Sequence, residues 1–281
     1  MRQKILIGLL KAVAALPLGA LYLIADFIYF VVYYLVGYRK DVVRKNLFEA
    51  FPEKTPDQLR KIEKEYYYFL SETIVETVKL LHISDAEMKK RVEVTNPEVV
   101  EEYIGKGRNV VLLLSHYGNW EWVQEISKYF SDSTFKATIY HPLKSELWNK
   151  VYRRIRGRWN SHLLPQWTAA KALLNKDNQP WVCGFIADGR PRSRKEACTV
   201  EFLHHHTYAI YGPEVIGRKI GAEFFFLEME RVRRGYYRIT FHRLEPEGEG
   251  EFTITKAFWR KFEKVVEKVP AYWLWSHKRW K

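Results

Sequence analysis

Apolar and polar residues divide the chain into three unequal stretches. From Ile5 to Val36 the sequence is apolar apart from Lys11 and Asp26. About 20 such residues suffice to cross a bilayer, so residues 12–38 predict a membrane helix. Pro17 and Gly19 interrupt its first half, and Asp26 sits within the run. Arg2, Lys4 and Lys11 precede it and Arg39, Lys40, Arg44 and Lys45 follow it, so the positive-inside rule selects no orientation. The expectation is a tilted or re-entrant helix with both ends near the cytoplasmic face, a very hydrophobic core helix being the alternative. A signal peptide would carry a shorter apolar region ending at a small-residue cleavage site, and FIYFVVYYLVGY continues without one.

The second stretch, DVVRKNLFEAFPEKTPDQLRKIEKEYYYFLSETIVETVKLL, reads as two helices around a Pro-bounded turn, with Thr55 or Asp57 as the cap of the second. Ile62, Tyr66, Phe69, Leu70, Thr73, Val78 and Leu81 recur near helical spacing, the mark of a packed amphipathic helix. From NVVLLLSH onward short apolar runs alternate with helical patterns. Strands are expected at 109–115, 135–140, 181–187, 223–229 and 236–241, and helices near 120–130, 144–158, 168–175, 210–220 and 253–268. Such alternation predicts an α/β fold with a mostly parallel sheet covered by helices on both faces. The chain thus divides into a membrane-associated segment, 1–40, and a globular domain, 41–281, with LEPEGEGEF as its candidate flexible loop.

Composition sharpens this picture in two ways. The 281 residues carry 46 Lys and Arg against 33 Asp and Glu, a net charge of +13, so the surface attracts anions. Ten Trp, eighteen Tyr and sixteen Phe are more rings than a core of this size needs, and such rings favour boundaries between water and lipid. Lipid is therefore a better anionic partner than nucleic acid, for which no reading module is visible. Two cysteines, Cys183 and Cys198, allow no disulfide framework and suit a reducing compartment. Cys183 falls in an apolar strand and Cys198 in a polar loop, and neither stands in a nucleophile pattern.

Candidate chemistry begins at LLLSHYGNWEWVQ, residues 112–124. In an open α/β sheet, reactive groups collect at the carboxyl ends of strands, where this reading puts His116. Gly118 and Asn119 supply a turn and cap. Glu121 then lies five residues beyond His116, and a strand, turn and first helical turn let its carboxylate fold back onto one ring nitrogen. The other nitrogen is left as a base. A histidine held only for structure is the alternative for this pair taken by itself.

The segment HYGNWE resembles the His-x4-acid box of glycerolipid-type acyltransferases, in the form used by the late lipid A acyltransferases of Gram-negative bacteria. The resemblance extends over nearly the whole chain: the apolar N-terminus, RKNLFEAFP, YHPLKSELWNKVYRRIRGR, FIADGRP, IYGPEVIGRKIGA, the RGYY strand and the terminal VPAYWLWSHKRWK. It implies a glycerol-3-phosphate acyltransferase-like α/β fold with an N-terminal membrane helix. It also implies transfer of an acyl chain from an acyl carrier protein thioester to a hydroxyl of a lipid A precursor, at the cytoplasmic face of the inner membrane, without a cofactor. His116 would be the base, oriented by Glu121. Arg154 and Arg156 match the family's paired arginines and Asp188 the acid of its Asp-Gln box; together with Asn119 these are the expected substrate contacts. The N-terminus of the helix at Gly118 to Trp120, with an arginine, would supply oxyanion donors. Solvated charges on the face of the 144–158 helix are the plainer reading of the arginines.

Three departures stand out. His141 replaces the arginine of the family's Tyr-Arg-Pro box, Gly189 replaces the glutamine after the aspartate, and FLHHHTYA precedes IYGPE. His204, His205 and His206 invite a metal reading, but no third ligand has recognisable spacing, so no metal site is expected and a solvent or headgroup role is preferred. The indoles and cations of WLWSHKRWK suit interfacial anchoring or core packing equally. Two other functions fit the same residues: an acyltransferase for another phospholipid or glycolipid, and a non-catalytic membrane-surface scaffold.

Overall fold

The computed structural model describes residues 2–143, 145–157, 159, 161–175, 179–191 and 198–280. Helix α1 (Arg2–Ala15) ends just before Pro17, and α2 (Leu18–Phe30) continues through a π-helical turn, Val31–Val36, to Gly37, whose left-handed φ of 62° stops it. Proline lacks an amide hydrogen and crowds the preceding turn, so the apolar run forms two helices where the sequence alone suggested one over 12–38. Leu18–Val36 is long and apolar enough to cross a membrane. One face of it, with Leu21 and Ala25, is buried in the protein, while Leu23, Phe27 and Leu35 are at least two-thirds exposed.

Helices α3 (Lys40–Ala50) and α4 (Pro56–Lys79) flank the expected turn. Thr55 is the cap: its hydroxyl accepts from the Gln58 amide while the Gln58 side chain accepts from the Thr55 amide, a reciprocal box that satisfies two otherwise orphaned donors. Then follow α5 (Asp85–Arg91), β1 (Val92–Val94), α6 (Glu98–Gly105), β2 (Val110–Leu114), a 3-10 segment (Trp122–Tyr129), β3 (Phe135–Tyr140), α7 (Glu146–Arg156), β4 (His162–Pro165), α8 (Gln166–Leu174), β5 (Trp181–Ile186), β6 (Cys198–Phe202), β7 (His205–Ala209), α9 (Gly212–Lys219), β8 (Glu223–Arg233), β9 (Tyr236–Arg243) and α10 (Thr253–Lys268).

Seven strands form one sheet in the order β1-β9-β8-β2-β5-β3-β4. Every pairing is parallel except the β8–β9 hairpin. Central strand β2 is buried along its whole length, as a parallel strand covered on both faces must be. Two apolar clusters lie on the two faces, one gathering α10 and the C-terminal tryptophans, the other α2, α6 and the 3-10 segment.

The five expected strands and the helices after residue 140 are present, the 144–158 helix as Glu146–Arg156, with positions 144 and 158 outside the described residues. Differences have local causes. The stretch near 120–130 is 3-10, not α-helical. Strands β1 and β4 are only three and four residues long, too short for a period-2 pattern to register. Cys198 is buried at the start of β6, not in a polar loop. The β6–β7 hairpin turns on Leu203 and His204, both with positive φ (49° and 64°); this mirror-image turn matches strand twist but uses residues that do not announce it.

Buried charge fastens α2 to the domain. Glu76, fully buried on α4, accepts hydrogen bonds from Tyr22 of α2 (2.8 Å), Tyr237 of β9 (2.7 Å) and Asn119 beyond β2 (2.6 Å). One turn earlier Glu72 pairs with Arg231 (2.5 Å) and Arg234 (2.6 Å), and Arg234 also meets Asp26 (2.6 Å). The single acid of the apolar run is therefore neutralised by the β8–β9 hairpin. Burial raises the carboxyl pKa of Glu76, against the hydrogen bonds from Tyr237, Tyr22 and Asn119. Glu76→Leu should orphan three buried donors and lower the unfolding free energy by at least the ~1–3 kcal/mol that one such group costs. Chemical denaturation of the detergent-solubilised protein measures this, with Glu76→Gln expected to lose less.

Candidate active site

Strands β2 and β5 are parallel neighbours with Leu114 opposite Ile186. Two residues beyond each lie His116 and Asp188, so this register alone brings the two to the same sheet edge. His116 Nδ1 is 2.9 Å from Asp188 Oδ1, and the His116 amide donates to Oδ2 at 3.0 Å. A third donor, Trp273 Nε1, reaches Oδ2 at 2.9 Å. An ionised carboxylate only accepts, so Nδ1 carries the hydrogen and Nε2 is the free base. Burial disfavours the imidazolium, but the charge and hydrogen bond of Asp188 outweigh it and raise the pKa of His116 above 6.5. For Asp188, burial works upward and His116 and Trp273 prevail, lowering its pKa. The imidazole remains one-third exposed, open to a reactant.

Glu121 does not orient His116. Its two oxygens accept from Arg156 Nε (2.9 Å) and Nη2 (2.5 Å), a bidentate pair that leaves the carboxylate 5% and the guanidinium 18% exposed. The planar fork of arginine fits a carboxylate in this way, and a desolvated carboxylate requires such a partner. Sequence spacing offered Glu121 as the nearest acid to the histidine; the acid supplied by β5 is 72 positions away. Both Glu121 and Arg156 still act electrostatically on His116, and the Trp120 ring lies edge-on to the imidazole at 5.4 Å.

Other expected site residues take different places. Asn119 is fully buried; it donates to Glu76 and accepts from the Trp122 amide (3.3 Å), so it builds the loop and does not face a substrate. Arg154 lies on the exposed side of α7, whose buried side carries Val151 and Ile155. The Gly118 amide donates to Tyr272 O (3.0 Å), so it is not an oxyanion donor. Gly118 has φ +62°, and a Cβ there would lie 3.0 Å from Met229; only glycine makes this bend at no steric cost. His141 is exposed beyond β3, with its ring near Trp167. At Gly189 a Cβ would approach Ile210 to 3.3 Å, so the glutamine of the family pattern would have to displace it. Among the described residues no three metal-ligating side chains cluster.

The C-terminal segment packs into the core, one of the two placements its indoles allow, and there it also supports the site. Trp273 bridges antiparallel to Tyr117, and the Leu274 amide donates to His116 O (3.2 Å). Trp273 and Trp275 are buried, so the terminal indoles pack the core and one of them holds Asp188. No local pattern marks that role; it depends on a segment 157 residues from His116 (273 minus 116).

A narrow apolar slot of about 40 Å³ runs between the sheet and the 3-10 segment and shares Trp120 with the surroundings of the imidazole. Leu114, Ile126, Phe130, Val182 and Ile186 line it, and Trp120 and Arg156 stand along its wall. A free base, a fixed guanidinium and an apolar slot thus converge at one sheet edge.

The family model for bacterial lipid A biosynthesis acyltransferases matches residues 3–281. The lipid A biosynthesis palmitoleoyltransferase of Escherichia coli (strain K12) and the lipid A biosynthesis acyltransferase of Shigella flexneri are each 24% identical over 256 residues, covering 86% of this chain and 79% of theirs.

Because the Asp188 charge favours the imidazolium, the ring of His116 should titrate above 6.5 by NMR, and Asp188→Asn should move that midpoint downward. An unchanged midpoint would mean that the contact does not set the basicity of the ring.

Proposed function

The chain belongs to the bacterial lipid A biosynthesis acyltransferases, and from that premise we propose that it moves a fatty acyl group from an acyl carrier protein thioester to a hydroxyl of a lipid A precursor, as a late acylation. The observation that carries this reading is the His116–Asp188 pair, with Trp120 edge-on to the imidazole and, together with Arg156, on the wall of an apolar slot.

In this mechanism His116 Nε2 takes the proton of the acceptor hydroxyl as its oxygen attacks the thioester carbonyl, with Asp188 stabilising the imidazolium that forms. Charge develops on the carbonyl oxygen. Arg156, fixed in direction by Glu121, is the donor that meets it, so no reorganisation is needed at the moment of reaction. Collapse of the tetrahedral intermediate expels the carrier thiolate, which takes the proton from His116, leaving an ester, a thiol and the enzyme as it began. No cofactor and no covalent enzyme intermediate take part. The acyl chain lies in the slot between Leu114 and Ile126; at about 40 Å³ the slot holds only a few waters, so its walls move apart to seat a full chain.

The exposed apolar face of α2 lies on the membrane at the cytoplasmic side of the inner membrane, with the globular domain in the cytosol. Supporting this, the opposite face of α2 is committed to α4 and to the Asp26–Arg234 pair, which a helix surrounded by lipid has no reason to keep. The net charge of +13 favours approach of an acidic carrier protein and an anionic lipid surface.

Transfer of labelled acyl groups from acyl carrier protein to a lipid A precursor tests the assignment. His116→Ala should lower kcat by the roughly 10²–10⁴-fold that a general base contributes, and Arg156→Gln by about 10²–10³-fold, typical of a lost oxyanion donor. Full activity in a folded His116→Ala protein would refute it.

A further inference from the structure

A second, larger cleft of about 310 Å³ shares no lining residue with the slot, and the mechanism above does not use it. Lys45 and Glu49 of α3, His205 and His206 of β7, Arg190 after Asp188, and the C-terminal Arg279 and Trp280 line it. Its charge is unbalanced. Among the described lining residues three permanent cations face one carboxylate, and that carboxylate, Glu49, is already within 3.8 Å of Lys45. Arg279 is 4% exposed, yet its terminal nitrogens are spent on main-chain carbonyls: Nη1 on Gly189 O at 2.9 Å and Nη2 on Tyr208 O at 2.6 Å. Its buried Nε has no hydrogen-bond partner.

Burial lowers the pKa of Arg279 to about 10; Asp188 works upward, and Arg190 is close enough to repel it. Two guanidinium groups sharing one cleft repel each other, an arrangement that a bound dianion stabilises. The rest of the cleft is built, not merely exposed. His205 stacks on the Trp280 ring with centroids 4.1 Å apart, and Trp280 Nε1 donates to Thr207 Oγ1 at 2.8 Å. The free fork of Arg190 and the ammonium of Lys45 at such a pocket suit a phosphate, whose several oxygens can accept charge-assisted hydrogen bonds from both at once.

We propose that the cleft between α3, the β6–β7 hairpin and the C-terminal segment is a phosphate-binding site that anchors a phosphorylated substrate beside His116. Arg190 and Lys45 bind the phosphate directly, and Arg279 supplies buried positive charge behind them. The site reaches the catalytic pair through the backbone, because Gly189, whose carbonyl holds Arg279, follows Asp188. The part that concerns a substrate rests on the acyl-transfer reading; the part that concerns phosphate does not. FLHHHTYA, the third departure from the family pattern, contributes one wall of this cleft.

The test uses the full-length protein in detergent with Arg190→Gln and Lys45→Gln, both at exposed positions outside the catalytic pair. Binding of inorganic phosphate is followed first, by 31P line broadening, and needs no enzymatic activity. The wild type should bind, and each variant should weaken binding by about tenfold, as loss of one charge-assisted hydrogen bond implies. Equal binding by wild type and both variants, or none by the wild type, overturns the proposal even if acyl transfer is intact. Steady-state kinetics then identifies the phosphate. A KM raised about tenfold for a phosphorylated acceptor, with kcat and the KM for the dephosphorylated acceptor unchanged, assigns it to the acceptor. A raised KM for the acyl carrier protein assigns it to the donor arm. Unchanged KM values for both substrates overturn the anchoring role. Phosphate binding without any acyl transfer would refute the proposed function and leave the phosphate site standing.

Discussion

The hydrogen bond between Asp188 and His116 is the constraint from which the rest of the site follows. It exists because β2 and β5 run parallel in adjacent positions with Leu114 opposite Ile186, so two strand ends deliver a base and its orienting acid to one point. A shift of register by one residue would turn both side chains to opposite faces. The cost of burying Asp188 is offset by three donors: the ring and amide of His116 and the indole of Trp273. That is why the chain's last strand-like segment returns to lie against Tyr117. The C-terminus acts as a wall of the site, and its tryptophans are core residues before they are anything else.

A second buried pair stands beside the first and divides the labour. Glu121 belongs to Arg156, and neither is free to exchange partners, because each desolvated charge is fixed by two parallel hydrogen bonds. The two carboxylates near the histidine therefore serve different cations: one holds an imidazole in a single tautomer, the other holds a guanidinium at the wall of the apolar slot. A reaction that moves a proton and develops negative charge on a neighbouring oxygen needs both kinds of group at once.

The apolar N-terminal helix is coupled to this site by polar contacts. Glu76 joins Tyr22 of α2 to Asn119 of the loop that carries Trp120 and Glu121, and Arg234 of the β8–β9 hairpin joins Asp26 of the same helix to Glu72 of α4. Hydrogen bonds in a low-dielectric interior are strong when complete and costly when broken, so the position of α2 and the shape of the loop depend on the same buried carboxylates. A segment whose composition suggests a detachable anchor is in this molecule built into the scaffold of the loop that carries Trp120 and Glu121.

The sequence by itself determined the elements with clear periodicity: the apolar run, the capped amphipathic helix from Pro56, and the alternation that yields a parallel sheet. It also located His116 at a strand end, and HYGNWE with the terminal tryptophan segment carried the family resemblance. These are local properties, set by chain chemistry over a few residues. Tertiary structure alone decided the partnerships. Which acid meets His116 depends on the register of strands 72 residues apart. Arg156 faces inward while Arg154 faces solvent, because α7 buries Val151 and Ile155. Asn119 turns to Glu76, and Trp273 to Asp188. Spacing along a chain can propose the nearest carboxylate, but desolvation allows a buried charge to stay only where the fold brings it a partner, and that requirement exchanged Glu121 for Asp188.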